Sequence, residues 1–527
     1  MGKRHQIVWK GTAVVAASMT VAGLAGLAAP MAAHASSRSK PQRGGTLNVA
    51  AIQDIVTLDP ANTGQVQWLY DENVFSTLTD NNSKDVPQPN LATSWTMSKN
   101  AKQIVFDLRH GVKFQNGNAF TSADVKFSIE RLLSSQVKLL PGNASKLADW
   151  AKDVSSITTP SPYRVVINLN QPEPYIFDFF DNLYIVDQKA LHGNTAITTT
   201  SEAVGTGPFA LKSWTPGQSM VLQRNRYYFV KGEPYLNGVQ VNVVPNAETA
   251  YLQLQSGQAD FVANLPSTDV AALRKSHPSQ VVVGCPVNFY FIGSNTTKPP
   301  LNNRYVREAI NHAIDRRRFV SQILQNQGEP ITQVWTPYSP FYLPKLDAQM
   351  QFSLKTAKAL MKKAGVSHAT VELQVNANQP PLAELAQIMQ ADLQKIGITL
   401  TIQTIPAAQY QQEAAKGDFP GLFAGPTGNP CEPPIDVLSN QQMNPLGNSM
   451  SFTSSIYRSL FSQLQHTTNP AALKKIDTKL TGFLLNTSFI MPVATQLSSF
   501  ALGPNVHGFS GNRRNGGWPL GGVWLKG

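Results

Sequence analysis

The amino-acid sequence predicts a mixed α/β (α+β) class, with helices and strands interleaved along the chain. Some segments alternate apolar and polar residues, as Gln103 to Leu108 does, and this alternation is typical of a half-buried strand. Others repeat apolar residues at helical spacing, as residues 382–396 do. With 527 residues the chain is too long for one ordinary core, so we expect two to four structural units.

The pattern assigns each element in chain order. Predicted strands are 46–50, 103–108, 164–169, 209–214, 219–224 and 398–402, and predicted helices are 121–133, 248–256, 303–324, 356–364 and 382–396. Thr121 and Asp124 have the spacing of a capping box, which begins a helix. Gly365 and Gly397 follow two of the predicted helices, where glycine commonly ends a helix.

The charge content excludes one class of partner. Charged residues make up 14% of the chain, and the formal net charge is +12. Nucleic-acid backbones need a focused basic stripe, whereas the positive charge here is diffuse beyond the N-terminus, so we exclude nucleic acid. Few carboxylates also mean that little charge is lost on acidification, which fits a protein that works in acid.

The first 35 residues have the pattern of an export signal. Lys3, Arg4 and Lys10 precede an uncharged apolar run over 12–29, and Ala33-His34-Ala35 is a small-x-small cleavage site. We therefore expect a signal peptide at 1–35 and a flexible leader at 36–44. The alternative is an uncleaved membrane anchor, although alanine, glycine and threonine dilute the apolar run.

Residue patterns that would indicate catalysis or a cofactor are incomplete. Gly205-Thr206-Gly207 is followed by Pro208 and completes neither a dinucleotide nor a phosphate loop, so we interpret it as a turn. Residues 508–511 are one residue short of a nucleophile elbow. The histidines show no metal-ligand spacing. The two cysteines, Cys285 and Cys431, fit either one disulfide or two free thiols.

Four segments carry a more specific pattern. They are Leu108-Arg109-His110-Gly111-Val112-Lys113-Phe114 with Thr121-Ser122-Ala123-Asp124-Val125-Lys126-Phe127-Ser128-Ile129-Glu130-Arg131, then Gly205-Thr206-Gly207-Pro208-Phe209, then Leu254-Gln255-Ser256-Gly257-Gln258-Ala259-Asp260, and Val306-Arg307-Glu308-Ala309-Ile310-Asn311-His312-Ala313-Ile314-Asp315-Arg316. On these segments the chain resembles the extracellular solute-binding proteins of the oligopeptide, dipeptide and nickel group, family 5 of the ABC importers. The resemblance extends from about Gly44 to Phe509.

This resemblance implies a two-lobed fold of the periplasmic-binding-protein type (type II), with a ligand cleft between the lobes and an extra domain. By analogy lobe I comprises 45–80, 205–285 and 500–527, the extra domain 81–204, and lobe II 286–499. The resemblance also implies a non-enzymatic receptor that captures a short peptide or similar small solute by hinge closure and delivers it to a membrane-embedded permease. Such a receptor needs a shaped cleft and no cofactor or metal.

The expected ligand-binding residues come from the same resemblance. Peptide-binding members hold the peptide amine with an Asp on a lobe II loop, preceded by a Trp, whereas this chain has Asn429 and Pro426 at those positions. An amide supplies no charge, so either Glu432 or Asp436 takes the amine, or the ligand has no free amine, as in a sugar, an opine-like compound or a blocked peptide. The expected binding residues are Asp54, Val56, Phe289, Tyr290, Trp335, Tyr338, Gly425, Thr427, Asn429 and Cys431.

Several of these residues also fit a purely structural role. The aromatic residues also fit core packing, Asp54 fits a loop carboxylate, and Cys431 fits a small packing residue. A sensor that presents its ligand to a signalling membrane protein, a secreted hydrolase and a peptide-holding chaperone are the competing functions. We expect an exported monomer, located in the periplasm or at the cell surface.

Overall fold

The computed structural model describes residues 40–64, 66–82, 85–140, 143–286, 288–339, 341–428, 431–511 and 517–527, and for 143–145 the backbone alone. The predicted signal peptide at 1–35 and residues 36–39 of the leader lie outside these residues. Residues 40–45 have no regular secondary structure before the first strand. From Pro41 to Gly527 the chain forms one unit.

The described residues form twenty strands. In chain order they are β1 Thr46–Ala51, β2 Thr79–Asn81, β3 Pro87–Pro89, β4 Ala92–Met97, β5 Gln103–Leu108, β6 Val154–Ser161, β7 Arg164–Leu169, β8 Phe209–Thr215, β9 Ser219–Arg224, β10 Gly238–Val243, β11 Phe261–Ala263, β12 Val281–Val283, β13 Asn288–Ser294, β14 Ala369–Asn376, β15 Ile398–Ile405, β16 Leu422–Gly428, β17 Ile490–Gln496, β18 Ser499–Leu502, β19 Val506–His507 and β20 Trp524–Leu525.

Fifteen α-helices lie between these strands in the described part of the chain. They are α1 Trp68–Val74, α2 Ser122–Glu130, α3 Asn143–Asp153, α4 Ile176–Asn182, α5 Ala247–Gln255, α6 Ser267–Ser276, α7 Arg304–His312, α8 Arg316–Arg318, α9 Pro344–Asp347, α10 Leu354–Ala364, α11 Pro380–Gln394, α12 Ala407–Lys416, α13 Pro434–Leu438, α14 Ser455–His466 and α15 Pro470–Thr487.

Three larger sheets organise the fold. The seven-stranded sheet has the order β12-β18-β11-β1-β10-β9-β8, and β1 runs parallel to both of its neighbours. The five-stranded sheet has the order β15-β14-β16-β13-β17, and the four-stranded sheet is antiparallel with the order β4-β5-β7-β6. Separate hydrophobic cores pack on these sheets. The mixed α/β class predicted from the sequence is therefore confirmed.

Local sequence patterns account for most of these elements. In β5 the side chains of Ile104, Phe106 and Leu108 are buried on one face, as the alternation predicts. The capping box that begins α2 is also confirmed, because the Thr121 amide donates to the Asp124 carboxylate over 2.8 Å. Helices α10 and α11 run close to their predicted spans, and Gly365 and Gly397 follow them in the left-handed backbone region.

The single long helix predicted over 303–324 is wrong. Helix α7 ends at His312, and Asp315 begins a new turn by accepting a hydrogen bond from the Arg318 amide at 3.0 Å. The cause is Arg316, whose buried guanidinium donates to the backbone carbonyls of Ile331 at 2.9 Å and Pro492 at 2.8 Å. Because these acceptors lie on other elements, the chain breaks its helix to place the arginine between them.

No helix in the described ranges is both long and apolar enough to span a membrane.

The glycine-rich turn at 205–208 is packed against the end of α1. The Gly207 amide donates to the carbonyl of Val74 at 3.0 Å. A methyl group on Gly205 would overlap that same carbonyl oxygen. Glycine is therefore required there by close backbone packing, in addition to the turn that the sequence predicts.

We predict that Gly205→Ala lowers the free energy of unfolding by about 1–3 kcal/mol, the usual cost of overpacking. Urea unfolding followed by circular dichroism measures this change. The control is Gly482→Ala inside α15, where a methyl group would meet no atom within 4 Å. That variant should be stabilised by about 0.5–1 kcal/mol, because alanine is the better helix former. A Gly205→Ala protein with unchanged stability would contradict the packing described.

Candidate functional site

Two chain crossings connect the seven-stranded and five-stranded sheets within the described residues. The first runs from the end of β12 at Val283 to the start of β13 at Asn288, and the second from the end of β17 at Gln496 to the start of β18 at Ser499. They lie side by side, since the Gly284 amide donates to the Ser498 carbonyl at 3.0 Å. Rotation about two adjacent short connections changes the space between the sheets and leaves both cores intact.

A disulfide bond lies at this hinge. The structure joins Cys285, in the first crossing, to Cys431, which follows β16, and their Cα atoms are 6.7 Å apart. The sequence alone left a disulfide and two free thiols equally open. The bond ties the loop after β16 to the hinge. Asn429, which the resemblance places at the amine-binding position of this loop, lies outside the described residues.

Four of the expected site residues lie on the adjacent strands β13 and β16. Phe289 pairs with Thr427, and Tyr290 pairs with Pro426, next to Gly425. The side chains of Phe289 and Tyr290 are 0% and 4% exposed and pack into cores on opposite faces of the sheet. Burial raises the pKa of Tyr290 to about 12. These two rings therefore support the strands from within the cores.

Trp335 and Tyr338 have different surroundings. Trp335 is fully buried in the same core as Phe289, and its indole Nε1 donates to the Thr481 hydroxyl at 2.7 Å. Tyr338 is 40% exposed and donates to the Glu329 carboxylate at 3.1 Å. Burial and Glu329 raise the pKa of Tyr338 to about 12, and the cation of Arg274 opposes this rise. Since Arg274 belongs to α6, Tyr338 faces the side of the hinge that carries the seven-stranded sheet.

Asp54 and Val56 lie on the other side of the hinge, in the loop after β1. The Asp54 carboxylate accepts hydrogen bonds from the Trp214 indole at 3.2 Å and from the Gly217 amide at 2.7 Å. It therefore fastens the β8–β9 hairpin to this loop. The Val56 side chain is 56% exposed, and its amide donates to the Gln67 side chain at 2.7 Å. The structure thus divides the expected site residues between the two sides of the hinge.

A small cavity of about 20 Å³, lined by both polar and apolar side chains, lies beside the disulfide-bonded loop. Its polar lining includes Glu432 and Asp436 from the five-stranded-sheet side and Lys146, Asp178 and Asn182 from helices α3 and α4. The Lys146 ammonium donates to the backbone carbonyl of Asp436 at 3.0 Å. The Asp436 carboxylate is 5% exposed, and its Oδ2 has no hydrogen-bond partner among the described residues.

Sequence reasoning missed the contribution of α3 and α4 to this pocket. It named Glu432 and Asp436 as possible partners of an amine, but it did not bring residues 146–182 near them. The available signal was the pair Asp178 and Asp181 in an otherwise apolar helix, both of which are buried.

Further carboxylates lie where the segment that carries the four-stranded sheet (here residues 146–178) meets the segment that carries the five-stranded sheet (here residues 436–477). Burial raises the pKa of Glu173 to about 7, with added contributions from Asp153 and Asp436 and an opposing hydrogen bond from Gln171. Burial also raises the pKa of Asp477 to about 7. Tyr175, within electrostatic reach of Asp477, packs against a core of the five-stranded sheet. This contact is therefore rich in carboxyl groups that burial keeps protonated below about pH 7.

In the described part of the chain, no group of three or more His, Cys, Asp or Glu side chains is placed to hold a metal ion. The candidate site consists of two adjacent crossings, a crosslinked loop and a small cavity. Two segments joined by such crossings are an arrangement that can bind a solute between them.

Comparison with known proteins agrees with this class. Residues 86–442 match the family model of the bacterial extracellular solute-binding proteins, family 5, middle region. The chain belongs to this family, and the resemblance on which the sequence analysis depended is confirmed.

Two relatives and one solved structure support the family assignment. The oligopeptide-binding protein AppA of Bacillus subtilis is 27% identical over 77% of this chain and 78% of its own length. Heme-binding protein A of Haemophilus influenzae is 25% identical over 80% of this chain and 81% of its own length. The solved structure of HbpA2 from Haemophilus parasuis superimposes with a TM-score of 0.77, at 26% identity, over 92% of this chain and all of that one.

The chain is therefore an extracytoplasmic solute-binding receptor and not an enzyme. The likeness to the HbpA2 structure also confirms the periplasmic-binding-protein fold expected from the sequence.

We predict that reduction of the Cys285–Cys431 bond destabilises the protein by about 2–5 kcal/mol, because the bond closes a long loop in the unfolded chain. Urea unfolding with and without dithiothreitol measures this difference. The double variant Cys285→Ala/Cys431→Ala is the control and should not respond to dithiothreitol. Equal stability of the oxidised and reduced parent would contradict a disulfide at this position.

Proposed function

We propose that the protein captures short peptides with a free amino terminus and delivers them to a membrane-embedded ABC permease. In this proposal the segments 45–80, 205–285 and 500–527 form lobe I, residues 81–204 form an extra domain, and residues 286–499 form lobe II. Ligand in the cleft closes the lobes about the two crossings. The protein acts as a monomer in the periplasm or at the cell surface, after cleavage of the signal peptide at 1–35.

The names of the relatives favour a peptide. AppA is named as an oligopeptide-binding protein, and a further relative, from Escherichia coli, as a probable D,D-dipeptide-binding periplasmic protein. Other relatives are named for heme and for glutathione, so family membership alone does not select the cargo. The choice depends on the chemistry of this chain's own pocket.

The observation that carries the proposal is the carboxylate of Asp436. Its Oδ2 is buried, lacks a hydrogen-bond partner among the described residues and lines a pocket that also contains Glu432 and Asp178. An unpaired buried carboxylate costs free energy, and a ligand ammonium would offset this cost by supplying both charge and hydrogen bonds. Glu432 and Asp436 thus supply the charge that Asn429 cannot.

The other expected residues have supporting roles in this proposal. Gly425 and Thr427 bring the backbone of β16 to the crosslinked loop, and Cys431 fixes that loop to the hinge. Phe289 and Trp335 support β13 from the core on one face of the sheet, and Tyr290 supports it from the core on the other face. Asp54 and Val56 present the facing loop of lobe I, and Tyr338 lies at the margin between the lobes.

A thermal-shift screen of residues 36–527 tests the cargo class. Pools of dipeptides, tripeptides and longer peptides are compared with sugars, single amino acids and heme. Ligand at a hundred times its dissociation constant adds about 2.7 kcal/mol to the stability of the folded state, so the peptide pools should raise the melting temperature clearly. A shift with sugars or heme and none with peptides would contradict peptide capture.

A second measurement tests the amine site. We predict that Glu432→Gln/Asp436→Asn lowers the affinity for a tripeptide with a free amine by about 10- to 100-fold, because hydrogen bonds to charged groups contribute about 1.5–3 kcal/mol each. The same variant should bind the N-acetylated tripeptide as the parent does. Isothermal titration calorimetry gives both dissociation constants.

The matched control for this measurement is Asp418→Asn, which also removes a carboxylate of the five-stranded-sheet segment. The Asp418 side chain is 71% exposed and lies just before β16. This variant should bind both peptides as the parent does. If the pocket variant loses affinity for the acetylated and free peptides alike, the ammonium is not held at Glu432 and Asp436.

A further inference from the structure

Residues 146–178, from the segment that carries the four-stranded sheet, touch residues 436–477, from the segment that carries the five-stranded sheet. These contacts are here called the latch. Tyr175, just before α4, packs against the core of the five-stranded sheet. The Lys146 ammonium reaches the Asp436 carbonyl at 3.0 Å, and the Gln171 amide oxygen lies 3.3 Å from the His466 ring. The latch therefore joins the proposed extra domain to the proposed lobe II.

Carboxyl groups from both sides surround the latch. Tyr175 has Asp85 and Asp178 on its own side and Asp436 and Asp477 on the other side within electrostatic reach. Glu173 has Asp153 on its own side and Asp436 on the other. Lys146 and His466 are the basic groups that the contacts above bring to it, and Glu432 lines the pocket beside them. Among the described residues, carboxyl groups from both segments thus lie within electrostatic reach of Tyr175.

Two buried polar atoms at the latch lack hydrogen bonds within the described part of the chain. The Tyr175 hydroxyl and Asp477 Oδ1 are buried and have no hydrogen-bond partner among the described residues. Asp477 is 2% exposed and lies on α15, between Ile476 and Leu480, which belong to the apolar core on this face. An ionised carboxylate there would face the phenol ring and no cation in the described surroundings, whereas a protonated carboxyl is tolerated.

We propose that this contact is a proton-dependent latch, in which Glu173 and Asp477 must carry protons for the two segments to close on each other. This inference rests on the proposed hinge closure and adds its regulation. Closure is favoured in mildly acidic surroundings and disfavoured as they become alkaline. The low content of carboxylates in the whole chain fits the same working range.

The direction of the effect follows from where each carboxyl group lies. In the open arrangement that we propose, Glu173 and Asp477 become accessible to water, where carboxyl groups have ordinary pKa values of about 4. In the latch their pKa values are raised to about 7. The closed arrangement therefore binds more protons, and the penalty for closing begins above about pH 4 and is complete above about pH 7.

Energy transfer between two dyes measures latch closure without any ligand. Cysteines are introduced at exposed Thr158 on β6 and exposed Thr478 on α15 and are labelled at neutral pH. We expect the closing equilibrium to fall at least about tenfold between pH 5 and pH 8, because one unit of pKa difference corresponds to a factor of ten. Transfer should therefore be high at pH 5 and low at pH 8.

The variant Glu173→Gln/Asp477→Asn carries neutral side chains at both positions and should keep high transfer at every pH. The charge-matched control, Asp107→Asn/Glu130→Gln, neutralises two exposed carboxylates of the same four-stranded-sheet segment and should respond to pH as the parent does. If the double latch variant does not fold, as judged by circular dichroism, the two single variants replace it. Each single variant must reduce the change in energy transfer between pH 5 and pH 8.

Three results would overturn the latch. They are a parent that does not respond to pH, a latch variant that responds as fully as the parent, and a latch variant that stays open at pH 5. Because no solute is present, these outcomes are independent of peptide capture, which the calorimetric titrations test separately. Unchanged peptide binding together with a flat dye response would remove the latch alone.

Discussion

The arrangement of the molecule depends on how its two large sheets are joined. Within the described residues only two short crossings connect them, and these are bonded to each other through Gly284 and Ser498. Each sheet carries its own hydrophobic core, so motion about the crossings leaves the packing of either side undisturbed. The Cys285–Cys431 bond adds a covalent link from the same hinge to the loop after β16. The position of that loop is thereby set by the hinge itself.

Local patterns in the sequence predicted much of the fold. Alternation gave β5 and β7, and the capping box gave the start of α2, because both signals arise within a few residues. The helix predicted over 303–324 was wrong for the opposite reason. Arg316 ends it by bonding to Ile331 and Pro492, and the second of these acceptors lies far away in the sequence. No local propensity reports such a contact.

The site was predictable to a smaller extent. The resemblance identified the family and the loop, but cysteine spacing could not determine the disulfide. Phe289 and Trp335 fitted core packing as well as the cleft, and the structure buries both. The two acids of α4 were a local signal of a special role, but the contribution of Asp178 to the cavity beside the crosslinked loop depends on where α4 lies relative to α13, which no local pattern reports. For the same reason the carboxyl-rich contact around Tyr175 appears only in three dimensions.

Electrostatics connects these features with function. The chain carries few charged residues, and carboxyl groups meet at a contact that forms and breaks during closure in our account. In that account a ligand ammonium pairs with the negative charge at Asp436, and protons neutralise Glu173 and Asp477 nearby. Capture and closure are then two responses to one arrangement of charge.

Small-angle X-ray scattering, with and without a peptide that raises the melting temperature, tests hinge closure most directly. The account predicts that the radius of gyration falls when the peptide binds, because the two sheets rotate toward each other about their crossings. The sample is the unlabelled parent protein with its disulfide intact. A radius that stays constant while calorimetry shows saturated binding would contradict capture by hinge closure.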